Sequence, residues 1–129
     1  MSFTFDYKTL GKRILPIIPV KIKHGNKILL TEAYVDSGAS ISAFNSEIAD
    51  FLGIDYLKGK IIYPLGTAGH IKAHLVATTL ELNGVDIKCK VLFSKELASK
   101  FNLIGLQGVF DKFKVTFDNK NKKITFEKH

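Results

Sequence analysis

The dipeptide Asn83-Gly84 separates two runs in which apolar and polar residues alternate. Leu80-Glu81-Leu82 precedes it; Val85, Ile87, Cys89 and Val91, interleaved with Asp86, Lys88 and Lys90, follow it. A period of two sends successive side chains to opposite faces of a strand, and Asn-Gly suits a tight type I′ turn, where both central residues need positive φ. This stretch is therefore expected to form an antiparallel hairpin with one dry and one wet face. The same period returns twice. Val20 to Lys23, a longer turn at His24-Gly25-Asn26-Lys27, and Ile28 to Val35 predict a second hairpin. Phe113, Val115 and Phe117, the polar turn Asp118 to Asn121, and Ile124-Thr125-Phe126 predict a third.

Helical signals are short. Asn45 or Ser46 caps a helix over Glu47 to Leu52, with Glu47 near the positive end of its dipole and Gly53 as a left-handed stop. Ser94 is placed to cap a second, Lys95 to Lys100. Many short strands with one or two short helices predict an all-β, closed or partly closed barrel rather than an α/β sheet. The 129 residues provide one domain's worth of core, 1–129, and 46% apolar content supplies the surface to be buried in it.

Several classes fall away. No apolar run approaches the roughly 20 residues of a membrane helix, and the longest candidate, Ile14 to Val20, carries Pro16 and Pro19. The N-terminus has neither the basic start nor the apolar core of a secretion signal, so a cytoplasmic location is expected. A lone cysteine, Cys89, forms no internal disulfide and no zinc site by itself. The net charge of +7 is nearly all lysine, spread along the chain and dense only over Lys112 to Lys128, with arginine solely at Arg13. Scattered lysines point to a solvated surface more than to a nucleic-acid interface.

Chemistry is concentrated at Val35-Asp36-Ser37-Gly38-Ala39, where the apolar run Ile28 to Val35 meets small residues ending at Ser42. A carboxylate at the end of a buried strand calls for a partner or a task. Taken alone, Asp-Ser-Gly can also be a turn in which the aspartate bonds its own backbone. Two further blocks follow in order: Gly66-Thr67-Ala68-Gly69-His70, between the strand-like Ile61 to Leu65 and Ile71 to Leu82, and Asn102-Leu103-Ile104-Gly105, before Phe113 to Asp118.

Together these blocks, spanning Lys21 to Phe126, resemble the retropepsin-like aspartic proteases, the single-domain relatives of retroviral protease. The resemblance implies a closed acid-protease β-barrel and a peptidase that needs no cofactor or metal. In that family two aspartates about 3 Å apart share one proton and hold the attacking water. This chain has one Asp-Ser-Gly, so the second carboxylate would come from a second copy across a two-fold axis. By the resemblance, Asp36 is the catalytic carboxylate, Ser37 braces the two loops across the dimer, and Gly38 brings its amide close to the dyad. Ala39 keeps the cleft floor small, and Thr67, Ala68, Gly69 and His70 belong to a flap closing over an extended peptide or protein substrate. After Ile104-Gly105 the family commonly carries arginine and then aspartate or asparagine; here Leu106 and Gln107 stand there.

Other residues have plainer readings. His70 and His74, four apart, fall on strand-like sequence with no third ligand nearby, and read as flap side chains rather than a metal site. Cys89 lies in the apolar phase of its strand and reads as an inert thiol. Phe113, Phe117 and Phe126 read as core or dimer surface, and Lys120 to Lys123 as a solvated turn. The sequence thus predicts an aspartic endopeptidase. The alternatives are a non-catalytic dimeric peptide-binding module on the same fold, and a basic nucleic-acid-binding barrel.

Overall fold

The computed structural model describes residues 1–66, 69–97 and 101–129. Its elements run β1 (Ser2–Asp6), β2 (Lys8–Leu10), β3 (Arg13–Leu15), β4 (Ile17–His24), β5 (Lys27–Val35), β6 (Ala43–Asn45) and α1 (Ser46–Leu52). After a 3-10 turn (Tyr56–Lys58) come β7 (Lys60–Ile62), β8 (Leu65–Gly66), β9 (Gly69–His70), β10 (Ala73–Leu82), β11 (Val85–Ser94), β12 (Asn102–Ile104), β13 (Phe113–Asp118) and β14 (Lys123–Lys128).

All three expected hairpins form. Leu82 faces Val85 across a two-residue turn. Asn83 and Gly84 take φ of 49° and 81°, the double positive φ of a type I′ turn. The strands on either side are longer than the alternation alone marked, reaching back to Ala73 and forward to Ser94. The β4–β5 turn is tighter than expected: His24 pairs with Lys27, leaving only Gly25 and Asn26 in the loop, with Gly25 at φ 60°. Between β13 and β14, Asn121 donates its backbone N–H and its side-chain amide to the Asp118 carboxylate at 3.0 and 2.8 Å, closing the turn.

Six strands close a ring in the order β10, β11, β6, β12, β5, β4 and back to β10. Pairing is antiparallel except at β11–β6 and β12–β5. Closure removes most free edges, and inward residues of every strand meet in one core. That core includes Ile18, Ile22, Phe44, Leu80, Leu82, Ile87, Val91, Phe93 and Ile104. Each such side chain contributes roughly 1.5–3 kcal/mol on leaving water.

The helix α1 closes one side through Ala49 and Leu52. Asn45, not Ser46, caps it by accepting from Glu47 N–H at 3.0 Å, and Gly53 at φ 72° ends it. The second expected helix is not observed over residues 95–97, and its remainder lies outside the described residues. Ser94 is buried as the last residue of β11; its hydroxyl accepts from Glu96 N–H and donates to the Lys72 carbonyl, a turn rather than a helix start.

A separate sheet, β1-β14-β13, joins the two chain ends. One face aligns Phe3 with Phe126 and Phe126 with Val115, and delivers Phe3, Phe113, Phe126 and Ile124 to the core. Phe3 stacks on Phe126 at 5.4 Å and meets the edge of Phe113 at 5.6 Å. Of the three aromatics expected in the core or on a dimer surface, Phe113 and Phe126 are buried and Phe117 is 39% exposed.

Candidate active site

Two loops meet at the end of the barrel. The strand β5 delivers Val35, fully buried, and Asp36 follows it directly. Because β12 lies parallel to β5 with Ile104 opposite Val35, both strands run out on the same side and their following loops lie side by side. Asp36 N–H donates to the Ile104 carbonyl at 2.9 Å, which continues the pairing by one residue. The side chain of Asn102 fastens the start of this arrangement. Its amide donates to Thr31 Oγ1 and the Glu32 carbonyl, and its oxygen accepts from Asn45 N–H.

Beyond Asp36 the chain turns sharply. Gly38 N–H donates to Asp36 Oδ1 at 2.8 Å and Ala39 N–H to the Asp36 carbonyl at 3.1 Å. The turn that Asp-Ser-Gly can form alone is therefore present, and it aims the carboxylate. Asp36 is half-buried, Ser37 and Gly38 are exposed, and Ala39 is half-buried. A Cβ on Gly38 would lie 3.1 Å from Asp36 Oδ1, so a larger residue crowds the carboxylate. Among the described residues Asp36 has no ion pair and Oδ2 accepts no hydrogen bond.

The second loop clamps the first through its main chain. Leu106 N–H donates to the Ala39 carbonyl at 2.8 Å and Gln107 N–H to the Ser40 carbonyl at 2.9 Å, with Ile41 bridged to Gln107 in parallel. The hydroxyl of Ser42, fully buried, accepts from Gly105 N–H at 3.0 Å. Gly105 is required by proximity: a Cβ there would lie 2.5 Å from the Ala39 carbonyl oxygen and 2.8 Å from the Ile41 carbonyl carbon. Leu106 and Gln107 thus serve through their backbones. Ser42 and Asn102 were not among the expected site residues; the only sequence signal was a small polar residue closing the cluster after Asp36, and an asparagine opening the Leu-Ile-Gly block.

The Gly66–His70 segment forms the expected hairpin, β8 pairing with β9 as Leu65 with His70 and Gly66 with Gly69. Gly69, at φ 108°, takes a backbone conformation open chiefly to glycine. Thr67 and Ala68, the expected tip, lie outside the described residues. The arms below it are β7 and the first residues of β10, Ala73 opposite Ile62. They share a small apolar cluster with the segments around the Asp36 and Gly105 loops: Ala43, Ala73 and Leu92, packed by Ile41, Ile62, Leu75, Leu97 and Leu103. The cluster connects the base of the hairpin to the strands flanking Asp36.

The two histidines separate. His70 is exposed on the hairpin with Nδ1 3.0 Å from the Tyr63 carbonyl oxygen. His74 is buried at its base, Nδ1 3.2 Å from the Gly59 carbonyl oxygen and its ring edge-on to Tyr56. Cys89 is half-buried, and burial pushes its thiol up from the ordinary value, opposed by Lys112.

No family model matches the sequence, and no curated protein does. Solved structures do. A retropepsin-like aspartic protease from Rickettsia conorii aligns with a TM-score of 0.70 at 21% identity, covering 97% of this chain and 98% of that one. The EIAV protease complexed with the inhibitor HBY-793 aligns with a TM-score of 0.55 at 19% identity, over 76% of this chain and 88% of that one. At such identities the likeness is one of backbone path, that is, of fold. The chain has the retropepsin-like fold, that of single-domain aspartic proteases.

Proposed function

We propose that the protein is an aspartic endopeptidase acting as a homodimer, with Asp36 and Asp36 of the partner subunit forming the catalytic pair. The observation that carries this reading is the state of the Asp36 carboxylate. Its Oδ1 is aimed by Gly38 N–H, its backbone is tied to Ile104, and its Oδ2 has no acceptor role among the described residues. A loop this firmly held, presenting a carboxylate without a cation, suits a second carboxylate brought against it.

Two carboxyl groups at about 3 Å cannot both ionise, so the pair holds one proton. The ionised member takes a proton from water as the water oxygen bonds to the peptide carbonyl carbon. The protonated member gives its proton to the carbonyl oxygen. The tetrahedral diol then collapses, with a proton passing to the amide nitrogen as the C–N bond breaks. Ser37, exposed beside the pair, braces the two loops across the two-fold axis. Gly38 and Ala39 keep the floor low, and the Gly66–His70 hairpin, with Thr67, Ala68, Gly69 and His70, covers an extended substrate. No cofactor has a role in this scheme.

Asp36→Asn tests it. The exchange is isosteric and keeps the Gly38 N–H acceptor, so folding and association should persist while cleavage of a mixed peptide library falls by at least about a hundredfold. Cleavage that survives the exchange removes the dyad. Sedimentation of the parent protein tests the other half: a monomer at every attainable concentration would leave half a site.

A further inference from the structure

A recess of about 470 Å³ that includes neither Asp36 nor Gly105 in its lining is formed by Lys23, His24, Gly25, Ala77, Thr79, Lys88 and Lys90, together with Thr78 and Cys89. No acidic side chain lines it. We infer that this recess is an exosite for an extended acidic segment of a protein substrate, bound along β10 at Ala77 with its carboxylates on Lys88 and Lys90. The substrate part of this inference rests on the peptidase reading above; the binding part does not.

A two-residue turn makes Leu82 and Val85 a mutually hydrogen-bonded pair, so every second residue of β10 counted from Leu82 bonds to β11. The residues between, Leu75, Ala77, Thr79 and Glu81, turn their N–H and C=O groups to the other side. Thr79 and Glu81 meet β4 at Lys23 and Lys21, and Leu75 meets β7 at Lys60. Ala77 falls between the end of one neighbour and the start of the other, and pairs with neither among the described residues. Its donor and acceptor border the recess and offer one step of strand addition.

Lys88 and Lys90 project from one face of β11, two residues apart, which is about 6.8 Å and the spacing of alternate side chains on any extended peptide. They stand opposite Thr79 and Ala77, and these small side chains leave room for the ammonium groups to lean across β10 toward its other edge. Neither lysine forms an ion pair among the described residues. Lys23 is committed instead to Glu81 and Asp86, each at 2.8 Å, one row further along the sheet.

Peptide is favoured over nucleic acid by what the recess lacks. Neither Phe, Tyr, Trp nor Arg lines it, so His24 is the one lining ring on which a base could stack, whereas a peptide main chain finds Ala77 and two lysines at its own side-chain spacing.

The test uses the full chain with Asp36→Asn, so that bound peptide is not cut. A fluorescent peptide with glutamate at alternate positions is titrated and followed by anisotropy, beside its glutamine counterpart and an oligothymidylate of equal charge. Lys88→Gln/Lys90→Gln should weaken the acidic peptide about tenfold and flatten its salt dependence, while Lys12→Gln/Lys120→Gln, an equal loss of charge elsewhere, should leave it within twofold. With Asp36 restored, Lys88→Gln/Lys90→Gln should raise KM for an acid-flanked substrate and leave kcat unchanged. Equal weakening by the two pairs, equal binding of the glutamine peptide, or tighter binding of the oligonucleotide overturns the exosite. Binding as expected without any cleavage by the parent leaves the exosite standing and removes the peptidase.

Discussion

Replacing Gly105 by alanine should damage this protein more than any comparable small change on its surface. The added Cβ would lie 2.5 Å from the Ala39 carbonyl oxygen, roughly 0.9 Å inside the 3.4 Å at which ordinary contact begins. The neighbours are main-chain atoms of the Asp36 loop, at Ala39 and Ile41, and not the ends of flexible side chains. Relief therefore requires one loop to move. Overpacking of this kind costs about 1–3 kcal/mol. Separating the loops also strains the hydrogen bonds from Leu106 to Ala39 and from Gln107 to Ser40, worth about 1 kcal/mol each. The expected loss is about 3–5 kcal/mol, a large share of the roughly 5–15 kcal/mol that holds a domain folded. Gly84→Ala is the internal control: at φ 81° but with open space around it, it should cost only about 1 kcal/mol. Urea unfolding of both variants measures the difference. A Gly105→Ala protein within about 0.5 kcal/mol of the parent, or more stable than Gly84→Ala, would refute the claim that close approach of the two loops is what glycine serves here.

Acid should loosen the β13–β14 hairpin. The Asn121 amide and backbone hold the Asp118 carboxyl below its ordinary value, so its stabilisation is present above the unfolded value and is lost as pH falls through the folded one. Asp118→Asn should flatten that acid limb in thermal melts recorded between neutral and strongly acid pH. At the alkaline end the sign reverses for Cys89: burial raises its thiol, so its contribution is complete below the unfolded value and fades as pH climbs through the folded one. Its alkylation by iodoacetamide should accordingly be slow at neutral pH and rise sharply in denaturant, and fast reaction in the native protein would contradict the burial. Leu80→Ala, at a fully buried position in the ring, should cost about 2–5 kcal/mol, read from the shift of the urea midpoint.

Local physics was legible in the residues themselves. Asn83-Gly84 carries its own turn, because few other pairs tolerate two successive positive φ angles, and Asn45 and Gly53 bracket α1 by the same kind of local rule. The alternation at Val85 to Val91 marked which face of β11 is dry. The blocks around Asp36, Gly66 and Gly105 were readable as a set, and they pointed to the fold now seen.

Longer-range matters were decided elsewhere. That β12 lies parallel to β5, so that Gly105 meets Ala39, depends on a pairing between residues about seventy positions apart, for which no local pattern exists. The buried bond from Gly105 to Ser42, the stitching role of Asn102 and the apolar cluster joining the hairpin to Ile41 and Leu103 all follow from that pairing. Ser94 kept its capping chemistry but spent it at the end of a strand, since β11 pairs with β6 through that residue and holds it extended. Side-chain preference acts over a turn or two of chain, while the closing of the ring determines which distant backbones come within reach of one another.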